Sequence, residues 1–100
     1  MRQARIWDWT QYKDAHERYE YDLSAEVTRI GTTVSSGTAA SDGDVTLTID
    51  SPNTTTSAGV WTGRITSDKT GNGQIKITFT LANGDTKIRY FNVAIVEPDL

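Results

Sequence analysis

The chain carries a single histidine, His16, and this residue is the first place to look for chemistry. A catalytic triad combines a histidine with a serine nucleophile and a carboxylate, and the chain has both partner types in plenty. The serine, however, must sit on a constrained turn, and the Gly-x-Ser-x-Gly pattern of one such turn is absent. His16 stands close to Asp14 and Glu17, which is typical of a solvated side chain. We therefore predict no catalytic residue and no enzymatic activity.

Asp42, Asp44 and Asp50 could supply oxygen ligands to a calcium ion. Their spacing does not match the EF-hand loop, and Asp beside Gly43 is equally typical of a turn. The segment 71–73, Gly-Asn-Gly, lacks the Lys and Ser/Thr that complete a phosphate-binding loop. Cysteine is absent, which excludes thiol catalysis, cysteine metal sites and disulfides. We predict neither a metal nor a cofactor.

Aromatic residues concentrate near the N terminus, where Trp7 and Trp9 stand two residues apart. In an extended segment such residues point to the same side. They are either the core of a first strand, an exposed pair that binds a protein partner, or a sugar platform, since Trp and Tyr dominate binding hot spots. We predict that residues 1–18 form an N-terminal arm. Its candidate partner-docking residues are Arg5, Trp7, Trp9 and Tyr12.

Apolar and polar residues alternate over residues 19–28, 45–50, 74–81 and 86–96, which is typical of half-buried strands. Sixteen threonines strengthen this prediction, because β-branched side chains favour strands over helices. Asn83-Gly84 between the last two segments is a strong hairpin signal, since both central turn residues must accept a positive φ. The one predicted helix covers residues 10–18 and has one or two turns.

Six or seven short strands with frequent turn signals predict an all-β fold, an immunoglobulin-like β-sandwich over residues 19–97. A closed small barrel is the alternative. In the last strand Ile88 and Tyr90 alternate out of phase with Phe91, which predicts a bulge or bend between them, or a strand that crosses between two packed sheets. The predicted core residues are Trp61, Phe79, Leu81, Phe91, Val93 and Ile95.

Composition excludes several classes of protein. A chain of 100 residues is one domain, and a net charge of −3 argues against a nucleic-acid binder. No apolar run approaches the roughly 18 residues that a membrane span needs. The first twenty residues are polar and do not match a signal peptide, so we expect synthesis in the cytoplasm without one.

Three further segments of the sequence share a pattern with one known family. Lys13-Asp14-x-x-Glu17 runs into Tyr21-Asp22-Leu23-Ser24, Val60-Trp61-Thr62-Gly63 precedes a Thr-rich strand, and Ala82-Asn83-Gly84-Asp85 leads to Phe91-Asn92-Val93-Ala94-Ile95-Val96-Glu97. Over residues 13–97 the chain resembles the fibre–tail adaptor proteins of tailed phages, which are small, Thr-rich and free of cysteine.

The resemblance implies a non-enzymatic virion protein, present in several copies or as a homo-oligomer. Its partners would be tail, fibre, portal or capsid components, with no nucleic acid, membrane or cofactor involved. Two alternatives stay open. One is a capsid decoration protein, and the other, from a different class, is a carbohydrate-binding module.

Overall fold

A computed structural model describes residues 8–97, with side chains over residues 9–97. This part of the chain is mostly β-structure, with one short helix. In chain order its elements are β1 (Asp8–Tyr12), β2 (Glu17–Asp22), α1 (Ser24–Ile30), β3 (Val34–Ser41), β4 (Thr48–Thr55), β5 (Val60–Thr66), β6 (Gly71–Leu81) and β7 (Thr86–Val96).

The strands form two sheets that pack face to face. A four-stranded sheet has the order β1-β7-β6-β3, and a three-stranded sheet has the order β2-β5-β4. β1 runs parallel to β7, and the other neighbouring strands are antiparallel. The core lies between the sheets, so the prediction of an all-β sandwich is confirmed. Buried there are the side chains expected in the core, namely Trp61, Phe79, Leu81, Phe91, Val93 and Ile95.

The helix predicted over residues 10–18 is wrong, because this segment forms most of β1 and the start of β2. A helix of one or two turns is marginal on its own. The strand alternative gains backbone hydrogen bonds from β7, where Trp9 lies opposite Val93. It also buries Gln11 against the core.

The predicted division between an arm at residues 1–18 and a domain at residues 19–97 lies inside β2. Residues 8–18 contribute one edge strand of the four-stranded sheet and part of an edge strand of the other sheet. This part of the chain is therefore built into the sandwich.

The strand predicted through Thr28 ends at Asp22, and helix α1 follows. The Oδ1 atom of Asp22 accepts a hydrogen bond of 2.8 Å from the backbone N–H of Ser24, which turns the chain at the helix start. Leu23 and Val27 are both buried. Residues four apart share a face in a helix as well as in a strand, so the alternation did not distinguish the two.

The register between β6 and β7 is unbroken from the Gly71–Ile95 pair to the Thr80–Thr86 pair. The predicted bulge or bend near Tyr90 and Phe91 is therefore wrong, and so is the alternative of a strand that crosses between the sheets. Phe91 faces the core, whereas Ile88 and Tyr90 face solvent and are 41% and 36% exposed. The phase of the pattern changes because apolar residues occupy the outward face of a regular strand.

Two glycines explain local features of the strands. The hairpin predicted at Asn83-Gly84 is confirmed, and Gly84 has a φ of 98° in the turn between β6 and β7. Asn83 does not have a positive φ, so the expectation that both turn residues adopt one is wrong. A Cβ atom at Gly63 would overlap the indole ring of Trp61. The glycine therefore lets the ring of Trp61 lie directly over strand β5, which is the close approach that a glycine within a strand indicates.

β4 begins at Thr48 and continues past Pro52 to Thr55, whereas the alternation predicts a strand over residues 45–50. Its register with β5 shifts between Ile49 and Asn53, and the Ser51–Pro52 peptide bond within this irregularity is cis. A proline is tolerated at such a site because the ladder is already interrupted there.

The side chain of Asn53 links the two sheets by hydrogen bonds between the edge strands β3 and β4. Its Oδ1 atom accepts hydrogen bonds from the backbone N–H of Ala39 at 3.0 Å and from the indole N–H of Trp61 at 2.9 Å. Its Nδ2 atom donates to the Ala39 carbonyl at 3.0 Å. The amide thus pairs with β3 as a backbone peptide group would, although the two strands belong to different sheets.

We expect Phe91→Ala to lower the free energy of unfolding by about 3–5 kcal/mol, because it leaves a cavity in the core. Tyr90→Ala is the matched control on the opposite face, with an expected loss below about 1 kcal/mol. Urea unfolding followed by tryptophan fluorescence measures both. Equal losses would contradict the orientation of β7.

We expect Asn53→Asp to cost about 1–3 kcal/mol at neutral pH, because a carboxylate would face the Ala39 carbonyl with no proton to donate. The loss should shrink at low pH, where the carboxyl group becomes protonated. Asn72→Asp, at an exposed position of β6, is the control. Urea unfolding at two pH values tests this, and the bridging role is excluded if the two variants are equally stable.

Candidate functional site

The predicted docking residues fall in different places. Arg5 and Trp7 lie outside the described residues, and their docking role stays a prediction. Trp9 is half-buried and stacks on Tyr19, with ring centroids 4.4 Å apart and 14° between the planes. Its ring also lies 5.2 Å from that of Phe91, so Trp9 packs against the core.

Gln11 is a buried polar residue that the sequence analysis missed, with 3% of its surface exposed. Its Nε2 atom donates to the carbonyls of Ile65 and Ala15, both at 3.0 Å. Its Oε1 atom accepts the hydroxyl proton of Tyr19 at 2.7 Å. Gln11 therefore joins the two sheets on the side where β1 and β2 meet, opposite Asn53.

The phenol of Tyr19 keeps its proton to an unusually high pH. Burial, reinforced by the carboxylate of Glu17, raises the pKa of Tyr19 to about 12. The neutral hydroxyl is the form that can donate to Gln11, so the hydrogen bond and the burial favour the same protonation state.

His16 lies in the connection between β1 and β2, with its Nε2 atom 3.3 Å from Oδ1 of Asp50. Both side chains are exposed to solvent.

Across residues 8–97, no group of three His, Cys, Asp or Glu side chains is placed to hold a metal ion. Asp42 and Asp44 lie in the connection after β3. The described chain also contains no helix long and apolar enough to span a bilayer.

The outer faces of the two sheets differ in charge. The three-stranded sheet turns Arg18, Glu20, Asp22 and Arg64 outward on β2 and β5, and Arg18 lies opposite Arg64. On the outer face of the four-stranded sheet, Lys76 is the one charged side chain that the structure describes, and Asp8, whose backbone lies opposite Asn92, places a second charged residue on the same face. We call this second surface the neutral face. Its other described residues are Thr10, Tyr12, Ser36, Thr38, Ala40, Asn72, Gln74, Thr78, Thr80, Thr86, Ile88, Tyr90, Asn92, Ala94 and Val96.

An apolar stripe runs along β7 through the neutral face. It contains Ile88, Tyr90, Ala94 and Val96, and Tyr12 on β1 lies opposite Val96. Tyr12 is 51% exposed, more than any other large apolar residue in the described chain. Protein interfaces are typically depleted of charge and enriched in aromatic residues at their centre, with polar groups around them. The neutral face has this composition.

Tyr12, a predicted docking residue, lies on this face, whereas Ile88 and Tyr90 are not among the predicted docking residues. A signal for these two residues was present, because the last strand shows apolar residues in both phases. The change of phase predicts a bulge, whereas the β6–β7 register shows that the apolar residues of both phases belong to one regular strand.

A shallow groove follows the gap between the edge strands β1 and β2, lined by Trp9, Thr10, Glu17, Arg18, Tyr19 and Glu20. It is open to solvent, and the charged residues along it lie at its rim.

Comparisons of the chain with protein-family models, with curated proteins and with solved structures find no match. The function is therefore inferred from the chain's own residues and geometry.

We expect the raised pKa of Tyr19 to make the fold sensitive to alkali. The neutral phenol is favoured in the folded state, so its contribution to stability is complete below pH 10.0 and is lost as the pH rises towards about 12. Tyr19→Phe should flatten the fall in unfolding free energy over this range, and Tyr12→Phe should not. Urea unfolding at stepped pH, with tyrosinate absorbance, measures this. Identical pH profiles for the two variants would contradict it.

Proposed function

We propose that this protein is a non-enzymatic structural component of a tailed-phage particle, which links one virion protein to another as a fibre–tail adaptor does. The neutral face is the observation that carries the proposal. Among the residues that the structure describes, this face carries two charged ones, Asp8 and Lys76, whereas β2 and β5 of the opposite sheet turn four charged side chains outward. On a sheet that faced only water we would expect several charged side chains, because they favour solubility.

The strand order supports an immunoglobulin-like assignment. In that assignment β3, β6 and β7 would be strands C, F and G, and β2, β5 and β4 would be strands B, E and D. β1 would be the first strand, paired here with the last one. Sandwiches of this kind present flat faces and strand edges to partners, although the fold alone does not determine a function.

The sequence resemblance over residues 13–97 supports the virion role. Two of its segments lie at structural landmarks, since Val60–Gly63 begins β5 and Ala82–Asp85 forms the hairpin between β6 and β7. A particle that holds many copies also supplies avidity, so a small domain can attach firmly through individually weak contacts.

The positions of the two described tryptophans favour a protein partner over a sugar. A carbohydrate-binding module needs aromatic rings exposed on one plane. Trp61 is fully buried, and Trp9 is half-buried, stacks on Tyr19 and packs against Phe91, so these two rings do not form such a plane. A capsid decoration protein would use the same kind of face as a fibre–tail adaptor, and the two differ in where they lie on the particle.

Immunogold electron microscopy tests the proposal. An antibody against the protein is applied to particles purified from cells that carry its gene, and we expect gold at the tail or neck. Label spread over the head would overturn the adaptor role in favour of a decoration protein. Absence of the protein from every particle fraction would overturn the virion role altogether.

A pair of variants then tests the neutral face. Ile88→Lys places a charge on the apolar stripe, and we expect at least a tenfold loss of the protein from purified particles. Thr54→Lys adds the same charge at an exposed position of β4 on the outer face of the other sheet and should have no effect. Equal incorporation of the two variants would show that the neutral face is not the attachment surface.

A further inference from the structure

We propose that the neutral face binds the neutral face of a second copy of this chain, sheet upon sheet, so that the protein enters the particle as a pair. This inference rests on the proposed function, which makes the neutral face a protein-binding surface, and it names the partner on that surface.

The small number of charges on the neutral face indicates which kind of partner it binds. A partner held by opposite charge needs charges to pair with, and the described part of the neutral face offers few, Lys76 and, at the start of β1, Asp8. The surface therefore suits a partner that also carries few charges, and a second neutral face meets this condition. In a two-fold pair the same patch faces itself, so clustered charges of one sign would be brought together, and charges of both signs would have to be desolvated.

The outer face of the three-stranded sheet shows the contrast. Arg18 and Arg64 lie side by side there, with Glu20 and Asp22 further along β2. Pairing this face with itself would require these charged groups to be desolvated. Of the two outer faces, the neutral one is therefore the face suited to self-association.

The position of the apolar stripe fits a sheet-on-sheet contact. β7 lies between β1 and β6 at residues 92–96, whereas Ile88 and Tyr90 lie in its first half, which pairs with β6 and which the described part of β1 does not reach. Stacked sheets lie about 10 Å apart with their strands within about 30° of each other. In that arrangement the stripes of two copies cross near the centre, and Thr and Ser side chains surround them.

Lys76 does not oppose this arrangement. It lies next to Tyr90 on the neighbouring strand β6. A lysine has a long aliphatic stem, which can cover apolar surface while its ammonium group stays in water at the rim of a contact.

The size of the face predicts a weak pair. Four strands about 4.8 Å apart, with about 3.3 Å per residue along the longest ones, offer at most about 700 Å² per copy. The longest strands, β6 and β7, have 11 residues each. A standard stable interface uses about 800 Å² per partner, so we expect reversible association that the multiple contacts of a particle reinforce.

Analytical ultracentrifugation of the full chain, from micromolar to near-millimolar concentration, tests the pair. We expect a monomer–dimer equilibrium. Tyr90→Lys should weaken it at least tenfold, and Thr54→Lys should leave it unchanged, with circular dichroism showing that both variants are folded. A wild-type chain that stays monomeric at every concentration would overturn the inference, and so would equal effects of the two variants.

The absence of cysteine allows a second test. Ala94→Cys places a thiol in the stripe, and a bifunctional thiol cross-linker that spans about 10 Å should link it to a second copy, whereas Thr54→Cys on the other sheet should stay monomeric. Equal cross-linking of the two variants would overturn the inference. A monomeric protein that is still found in particles refutes the pair and leaves the proposed function standing, whereas a dimer absent from particles refutes the proposed function.

Discussion

Two side-chain amides, those of Asn53 and Gln11, join the sheets of this sandwich where backbone hydrogen bonds cannot. Backbone ladders connect strands within a sheet, and an inner space filled by apolar side chains offers buried polar groups no partner. An amide supplies a donor and an acceptor, as a peptide group does. Asn53 pairs with β3 and positions Trp61, while Gln11 binds β5 and Tyr19. Without them, carbonyls and hydroxyls at both sides of the core would be left unsatisfied.

Asn53 and Gln11 link the two sheets from within, so the fold does not depend on which residues lie on the outer faces. The two outer faces differ in charge. Hydrophobic burial and the two amide bridges hold the sheets together from within, so the charge of the outer faces is not needed for the fold. The distribution of Arg18, Glu20 and Arg64 on one face, and of mostly uncharged residues on the other, is therefore best explained by what each face contacts. Solvent suits the charged sheet, and a protein surface suits the neutral one.

Local pattern predicted much of the sandwich. Alternation placed Phe79, Phe91 and Ile95 in the core, and Asn83-Gly84 located the hairpin, because these features depend on side-chain period and turn geometry alone. The errors arose where one pattern fits two structures. Leu23 and Val27 share a face in a helix and in a strand. At Ile88 the pattern predicts a bulge, because an apolar side chain is not expected on the solvent-facing side of a regular strand.

Composition and alternation established an all-β chain with a Thr-rich surface, since the period of two is a property of the strand itself. Tertiary structure alone decided that residues 8–12 join β7 in parallel, because nothing local to that segment specifies a strand so distant in sequence. It also decided that Gln11 is buried and that Tyr12 and Tyr90 share one face. Burial and the sharing of a face depend on which strands become neighbours, and that choice is made by the packing of the whole core.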